Sequence, residues 1–306
     1  MTSTQQSVST AGSLGEALAA LHERLPEMDA VAGAFASLNR TAQDIVSAEA
    51  AWPPYAEFDA EAFGAGTPLL AGLMTKEFEE LFLESACVML PAIQAEFPLV
   101  ARFAVALNAA LEGRPGFAAQ CAAAVLSGDE LALDAAAEQA DIPAHALYFL
   151  LQEVMRPCLR RASATLGKLA DNELWFKSHC PVCGSRPDMG YLKEKSDSSE
   201  YLVSKSGRLW LHCSMCGHGW RFVRLVCPSC GQQDHERLEV LFDQERPEER
   251  VHACMDCKRY LPVADLTKWQ GPFNPELASL GLVHLDILAQ EKGYLPMVQR
   301  PWNTLG

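Results

Sequence analysis

The stretch that decides the fold runs from residue 180 to residue 258 and repeats one motif four times. It reads Cys180-Pro-Val-Cys183-Gly184, Cys213-Ser-Met-Cys216-Gly217, Cys227-Pro-Ser-Cys230-Gly231 and Cys254-Met-Asp-Cys257-Lys258. Two residues between paired cysteines let both sulfurs face one metal ion at about 2.3 Å, while backbone amides turn toward the sulfurs. Glycine, which tolerates a left-handed backbone, follows three motifs, and Lys258 is a weaker substitute in the fourth. The sequence therefore predicts that eight of the eleven cysteines bind metal.

Redox dithiols and disulfides are the competing interpretations of these motifs. A single Cys-x-x-Cys motif is often a redox pair, but four motifs of the same spacing favour metal. The start of the chain is polar and lacks the pattern of a secretory signal, so we expect a cytoplasmic protein with reduced thiols. Four thiolates leave no open coordination position, which predicts structural rather than catalytic sites. The spacing fits zinc and iron equally well.

The residues between the motifs predict how the cysteines group. The β-type runs are residues 201–204, 208–212, 220–226, 238–242 and 250–253. One candidate hairpin, turning at residues 205–207, lies among the 29 residues between Cys183 and Cys213, and another among the 23 between Cys230 and Cys254. Only 10 residues separate Cys216 from Cys227. We therefore expect Cys180, Cys183, Cys213 and Cys216 to form one site, and Cys227, Cys230, Cys254 and Cys257 to form the other.

The residues before the motifs predict a helical domain. From residue 14 to residue 169 the chain is rich in Ala and Leu, and apolar residues recur at helical spacing with breaks at Pro and Gly. We expect six or seven helices, one of them starting from a capping box made by Ser127 and Glu130. Residues 275–292 return to helical spacing, with Gly293 as the stop signal. The predicted units are residues 1–173, 174–224, 225–270 and 271–306: a helical domain, two β-rich metal modules, and a terminal helix with a tail.

Charge and the remaining candidate residues narrow the functional classes. Residues 1–173 carry 9 basic and 23 acidic side chains, whereas residues 174–306 carry 16 of each. Neither part predicts a phosphate-binding surface, so binding of nucleic acid is disfavoured, and no apolar run is long enough to span a membrane.

Four histidines adjoin the motifs, and we interpret them as neighbours of the sites rather than ligands: His179, His212, His218 and His252. The isolated Cys87, Cys121 and Cys158 are assigned no role.

The residues that flank the cysteines resemble those of one known family. Cys180-Pro-Val-Cys-Gly-Ser-Arg-Pro, Leu211-His-Cys-Ser-Met-Cys-Gly-His-Gly-Trp-Arg-Phe-Val-Arg and Cys227-Pro-Ser-Cys-Gly are similar to the formate dehydrogenase accessory protein family, FdhE. So are Cys254-Met-Asp-Cys-Lys-Arg-Tyr-Leu and Leu285-Asp-Ile-Leu-Ala-Gln-Glu-Lys-Gly-Tyr. The resemblance extends from about Trp175 to Tyr294. Lys258 departs from it, since Gly or Gln would be commoner there.

The resemblance implies an α+β multidomain protein with a helical N-terminal domain, two rubredoxin-like modules and a C-terminal helix. It also implies a cytoplasmic maturation factor that is not an enzyme and that binds the catalytic subunit of formate dehydrogenase. Iron is the implied metal, with two ions held by the eight motif cysteines and zinc as the alternative. A rubredoxin-like electron-transfer protein is the second hypothesis, and a nucleic-acid-binding zinc-ribbon protein is the third.

Overall fold

A computed structural model describes residues 13–47, 58–71, 76–194 and 207–304. A helical part is followed by one mixed β-sheet and then by two short helices. This arrangement confirms the predicted fold class. The boundaries of the four predicted units stay a prediction, because the β-strands of the two metal modules join in a single sheet.

The helical part contains nine α-helices within the described ranges. They are α1 (Leu14–Arg24), α2 (Asp29–Thr41), α3 (Gln43–Val46), α4 (Ala60–Ala65), α5 (Lys76–Glu96), α6 (Ala101–Gly113), α7 (Phe117–Ser127), α8 (Glu130–Ala140) and α9 (Ala144–Leu166). The expected number was too low because α3 and α4 are only one or two turns long. The capping box was also misplaced: Asp129 caps α8 by accepting a hydrogen bond from the amide of Ala132, and Ser127 ends α7.

Helix α9 forms the centre of the helical part. Its residues Leu147, Leu150, Leu151, Val154 and Met155 are fully buried. Helix α5 packs along it, and the Ser85 hydroxyl donates a hydrogen bond to the Val154 carbonyl at 2.6 Å. Burying this many apolar side chains on one helix provides most of its stability, because each contributes about 1.5–3 kcal/mol relative to exposure.

Among the residues that the structure describes, seven strands form the sheet. They are β1 (Pro187–Lys193), β2 (Arg208–Cys213), β3 (Gly219–Arg221), β4 (Leu238–Phe242), β5 (Glu249–Cys254), β6 (Arg259–Asp265) and β7 (Leu295–Pro296). Their order is β3-β2-β1-β6-β5-β4, with β7 beside β6. The β1 to β6 pair is parallel, with Gly190 opposite Val263, whereas β1 to β2 and β4 to β5 are antiparallel. That parallel pair joins the halves of the sheet that carry the two predicted sites.

The strand predictions differ from the structure in three places. The hairpin partner of β2 is β1, which was not predicted, and the predicted strand at 201–204 lies outside the described residues, as do residues 205 and 206 of its turn. Strand β3 ends at Arg221, so the connection predicted as one strand over 220–226 is mostly turns. Strand β6 was missed. Two C-terminal helices, α10 (Pro275–Gly281) and α11 (Val283–Glu291), replace the single predicted helix.

Candidate metal centres

The structure brings the eight motif cysteines together in two groups of four. The first sulfur cluster consists of Cys180, Cys183, Cys213 and Cys216, and the second of Cys227, Cys230, Cys254 and Cys257. Within each cluster all four sulfur atoms lie within 4.8 Å of one another. These are the groups that the intervening sequence predicted. Binding of a metal by these eight residues stays a prediction.

The first sulfur cluster is buried on all sides. Its cysteines are between 0% and 8% exposed. Cys180 Sγ lies 3.5 Å from Cys216 Sγ, and Cys183 Sγ lies 3.4 Å from Cys213 Sγ. The amides of Val182 and Met215 each donate to a sulfur at 3.4 Å, the inward-turned amide geometry of a metal-binding knuckle.

Backbone hydrogen bonds fasten the first sulfur cluster to the helical part. The amides of Leu69 and Leu70, which follow α4, donate to the carbonyls of Pro181 and Val182 at 2.8 and 2.9 Å. Those carbonyls belong to the two residues between Cys180 and Cys183. The first knuckle is therefore hydrogen-bonded directly to the helical part through two successive backbone contacts.

Large side chains complete the contact between the first sulfur cluster and the helices. Trp175 is fully buried against Phe63, with ring centroids 4.6 Å apart. Its indole N–H donates to the His179 carbonyl at 2.9 Å, and the fully buried Trp220 donates to the Lys177 carbonyl at 3.1 Å. Movement of the cluster would break these packed and hydrogen-bonded contacts together.

The second sulfur cluster lies at the surface. Cys227 and Cys254 are buried, Cys257 is half-buried and Cys230 is exposed. The sulfur pairs Cys227 with Cys257 and Cys230 with Cys254 are each 3.7 Å apart. Solvent and other proteins can therefore reach the second cluster through Cys230.

Polar side chains support the last knuckle of the second cluster. The amide of Gln232 and the guanidinium of Arg237 both donate to Asp256, which lies inside the last knuckle. Lys258 completes this knuckle with φ of 56°, close to the positive φ values of Gly184, Gly217 and Gly231. The lysine thus adopts the left-handed conformation that glycine adopts in the other three knuckles.

Both clusters fit a tetrahedral metal ion. Metal to sulfur bonds of about 2.3 Å in a tetrahedron separate the sulfurs by about 3.8 Å. The sulfur distances of 3.4 to 3.7 Å are close to that value. Each cluster also has four donors, so its residues could fill the coordination shell of zinc or iron without water.

The thiols of the first cluster differ in pKa. Burial, together with hydrogen bonding among the thiols, raises the pKa of Cys180 well above its ordinary value. Hydrogen bonds from the other three thiols lower the pKa of Cys183 well below it. The two shifts are opposite because these thiols hydrogen-bond with one another, and the thiolate is the form that binds metal.

A buried polar network adjoins the first cluster. His212 donates from Nδ1 to Asp188 at 2.9 Å, and Glu276 approaches its Nε2 at 3.6 Å. Burial by itself would lower the pKa of His212, but the two carboxylates raise it to about 10. Arg300, near the end of the described chain, donates to Asp188 and to the Ser214 carbonyl. His212 therefore lies beside the first cluster as a cation held by two carboxylates.

Sequence reasoning missed the partners of His212. Asp188 and Glu276 are distant from each other along the chain, and neither belongs to a recognisable motif. Asp188 lies on a strand and Glu276 on a helix, and only the folded arrangement brings both of them to His212.

Within the described ranges, no helix is both long enough and apolar enough to cross a membrane.

Comparison with known proteins gives both sequence and structural relatives. The chain is 33% identical over 125 residues to "Protein FdhE homolog" of Aquifex aeolicus, a match covering 41% of each chain. It is 28% identical over 214 residues to the homologue of Pseudomonas aeruginosa, covering 67% of this chain and 63% of that one. Each match thus spans less than two thirds of the relative's length. No protein-family model matches the chain.

One solved structure matches almost the whole chain. The crystal structure of the FdhE protein from Pseudomonas aeruginosa superposes with a TM-score of 0.63 and 24% identity, covering 96% of this chain and 95% of that one. At this identity the likeness establishes the fold. Together, the sequence matches and the shared fold confirm that this chain resembles the FdhE family.

Proposed function

We propose that the chain is an accessory protein that promotes formation of active formate dehydrogenase by binding its catalytic subunit in the cytoplasm. The observation that carries this proposal is the pair of four-sulfur clusters set in the fold of an FdhE protein. The names of the sequence relatives support the same assignment.

A non-enzymatic role is part of the proposal. Four thiolates around one ion leave no coordination position for a substrate or an activated water molecule. The first cluster is buried as well, so no substrate can approach it without moving the chain. Both features favour a scaffold that binds another protein.

Iron is the metal that we propose for both clusters, with zinc as the alternative. The four cysteines of each cluster would hold the ion, and the amides that point at sulfur would stabilise the negative charge of the thiolates. Iron bound in this way can gain or lose one electron, whereas zinc cannot. Elemental analysis of protein purified without oxygen tests the choice, and two zinc ions per chain would reject iron.

Binding of the client is tested by co-purification. The tagged chain should capture the catalytic subunit of formate dehydrogenase from cells that make both proteins. A matched control is the Cys87→Ala variant, which alters an exposed thiol outside both clusters and should capture the subunit equally well. Normal formate dehydrogenase activity in a strain that lacks the chain would reject the maturation role.

A rubredoxin-like electron-transfer protein is the second candidate, and the exposure of Cys230 favours it. An ion bound by an exposed sulfur can exchange electrons with a docked partner, which the buried first cluster cannot do as readily. Purified protein should then show reversible visible absorption changes on reduction and reoxidation. A colourless, zinc-loaded protein prepared anaerobically would reject this candidate and leave the accessory role intact.

A further inference from the structure

The two edges of the β-sheet differ in what covers them. Strand β3 forms one edge with only 3 residues, and its Arg221 amide donates to the Asn172 side chain at 2.9 Å. Strand β4 forms the other edge with 5 residues and pairs only with β5 among the described strands. Proteins usually protect an edge strand with a bulge, a proline or a lysine, because its unpaired backbone can bind another strand. Strand β4 contains no proline or lysine, and its pairing with β5 is regular along its whole length.

The hydrogen-bond register shows which backbone groups of β4 face the open side. In an antiparallel pair, residues that bond to the neighbouring strand alternate with residues whose N–H and C=O point away from it. The Met255 amide donates to the Arg237 carbonyl at 2.9 Å, so Arg237 bonds to the β5 side and the next residue does not. The residues whose backbone groups point away from β5 are therefore Leu238, Val240 and Phe242. No hydrogen bond from the part of the chain that the structure describes reaches these groups.

Apolar side chains lie along the same open edge. Val240 is 49% exposed and Phe242 is 48% exposed, whereas Leu241, which projects from the opposite face of β4, is buried in the core beneath α11. A strand added beside β4 would cover Val240 and Phe242 and pair the outward backbone groups at the same time. Because Leu238 lies opposite Cys254, the added strand would also run past the second cluster.

The charges around β4 indicate the chemistry of the added strand. Residues 234–248 carry six acidic side chains and two arginines, an excess of four negative charges. Both arginines already have carboxylate partners: Arg237 pairs with Asp256, and Arg246 with Glu249. Of the arginines near β5, Arg250 is paired with Asp265, and Arg224 offsets one of the excess negative charges. The edge therefore favours a strand that carries basic side chains.

The same charges argue against a second copy of this chain as the occupant. Two β4 edges brought together would place like charges opposite each other, which destabilises strand pairing. We propose that β4 binds an extended segment of the client's catalytic subunit as an additional strand, with apolar side chains beside Val240 and Phe242 and Lys or Arg at its ends. This inference rests on the proposed function for the identity of the client, and it adds the surface through which the chain binds.

Amide hydrogen exchange, resolved to single residues by mass spectrometry, tests the proposal on the full metal-loaded chain with and without the catalytic subunit. In the free chain the outward amides of Val240 and Phe242 should exchange fast, and the inward amides of Glu239 and Leu241 slowly. Binding of the subunit should slow the outward amides by about tenfold or more, because they gain hydrogen bonds.

Three results of this experiment would overturn the proposal. If the chain captures the subunit while exchange at Val240 and Phe242 is unchanged, the docking surface is wrong and the proposed function stands. Slow exchange of both amides in the free chain would mean that a second copy or another segment of the chain occupies β4. Failure of the wild-type chain to capture the subunit would overturn the proposed function and this inference together.

A proline variant tests the backbone pairing. Val240→Pro removes one outward N–H, and an edge strand tolerates proline where the N–H faces away from the sheet. The variant should keep the metal content and Tm of the wild type and bind the subunit about tenfold more weakly, since a partner carbonyl loses its donor. Undiminished binding by the folded variant would overturn the proposal.

A charge reversal tests the basic ends of the segment without altering the backbone of β4. Glu236→Lys combined with Glu245→Lys should slow association with the subunit by about tenfold, and the difference should shrink at high salt. The control combines Glu96→Lys with Glu138→Lys, which changes the net charge equally at exposed positions of the helical part and should associate like the wild type. Equal association rates of the two double variants would overturn the proposed charge pairing at β4.

Discussion

The two sulfur clusters share a motif and a sulfur geometry but differ in their surroundings. The first is buried and hydrogen-bonded through its knuckle to the segment after α4, whereas the second exposes Cys230 and is supported by polar side chains. The motif fixes which atoms can bind an ion. The surrounding fold fixes how firmly the ion is held and what can approach it.

Loss of one ligand should have the largest effect, and it should differ between the clusters. Cys180→Ser is expected to destabilise both the sheet and the helical part, because the same knuckle binds Leu69 and Leu70. Cys254→Ser should expose mainly residues 227–258 to protease. Structural metal sites contribute about 10–16 kcal/mol of binding energy in small domains, so either loss is large. Limited proteolysis followed by mass spectrometry of the fragments shows which parts of the chain each variant exposes to protease.

The control for this comparison is Cys87→Ser, which should leave the cleavage pattern unchanged. If Cys180→Ser left the helical part as protease-resistant as in the wild type, the coupling of the first cluster to the helices would be wrong.

Release of metal to a chelator should separate the clusters kinetically. The second cluster should lose its ion about tenfold faster or more, because a chelator can attack through Cys230 while the first cluster must open before attack. Two phases of equal amplitude are expected in absorbance with a coloured chelator. Cys254→Ser should abolish the fast phase alone. A single phase in the wild type would mean that exposure does not govern release.

The sheet region beside the second cluster should respond to pH through Asp286. Burial raises the pKa of Asp286 to about 7, even though Tyr260 donates to it at 2.6 Å. The folded chain therefore binds this proton more tightly than the unfolded chain, whose pKa is about 3.9. This stabilisation is complete below pH of about 4 and is lost as pH rises to about 7.

Asp286→Asn removes that pH dependence. The variant should be more stable than the wild type by about 1–3 kcal/mol above pH of about 7, and the difference should shrink toward pH of about 4. Denaturant unfolding at several pH values measures this difference in the free energy of unfolding, and the variant Asp134→Asn, at an exposed position, is the control. A difference that grows toward low pH would contradict the assignment.

The smallest predicted effect concerns the residue after each knuckle. Gly231 has φ of 78°, and an added Cβ would meet no atom within 4 Å, so Gly231→Ala tests backbone strain alone. It should destabilise the chain by about 1 kcal/mol. Lys258→Gly should stabilise by about 0.5 kcal/mol, because relief of strain is partly offset by a more flexible unfolded chain. Denaturant midpoints measure both changes, and effects of the same sign would contradict this account.

The sequence predicted the cysteine groups because ligand spacing is a local property, and it predicted the helical part because apolar periodicity is local too. Strands β1 and β6 escaped prediction for a physical reason. Strand β1 contains Pro187 and Gly190, and β6 contains Pro262, residues that disfavour strands in isolation. Pairing with each other and with their antiparallel neighbours overrides that preference.

The burial of one charged face of α9 was equally invisible in the sequence. Glu153, Arg156 and Arg160 follow helical spacing, and charged residues spaced in this way normally mark a solvent-exposed helix face. In the fold this face is buried against α2 and approached by Glu276 from the far end of the chain. Only the tertiary arrangement shows that these charges are desolvated.

The parallel pairing of β1 with β6 also bears on the rate of folding. Gly190 and Val263 lie far apart along the chain, and the entropy lost on closing a loop grows with its length. Metal ions that joined Cys183 to Cys213 and Cys230 to Cys254 would act as shortcuts within this loop before the strands meet. We expect a chain that loads metal early to close its sheet faster than a chain that loads it late. The supply of metal during synthesis would then influence how long the unpaired strands are open to aggregation.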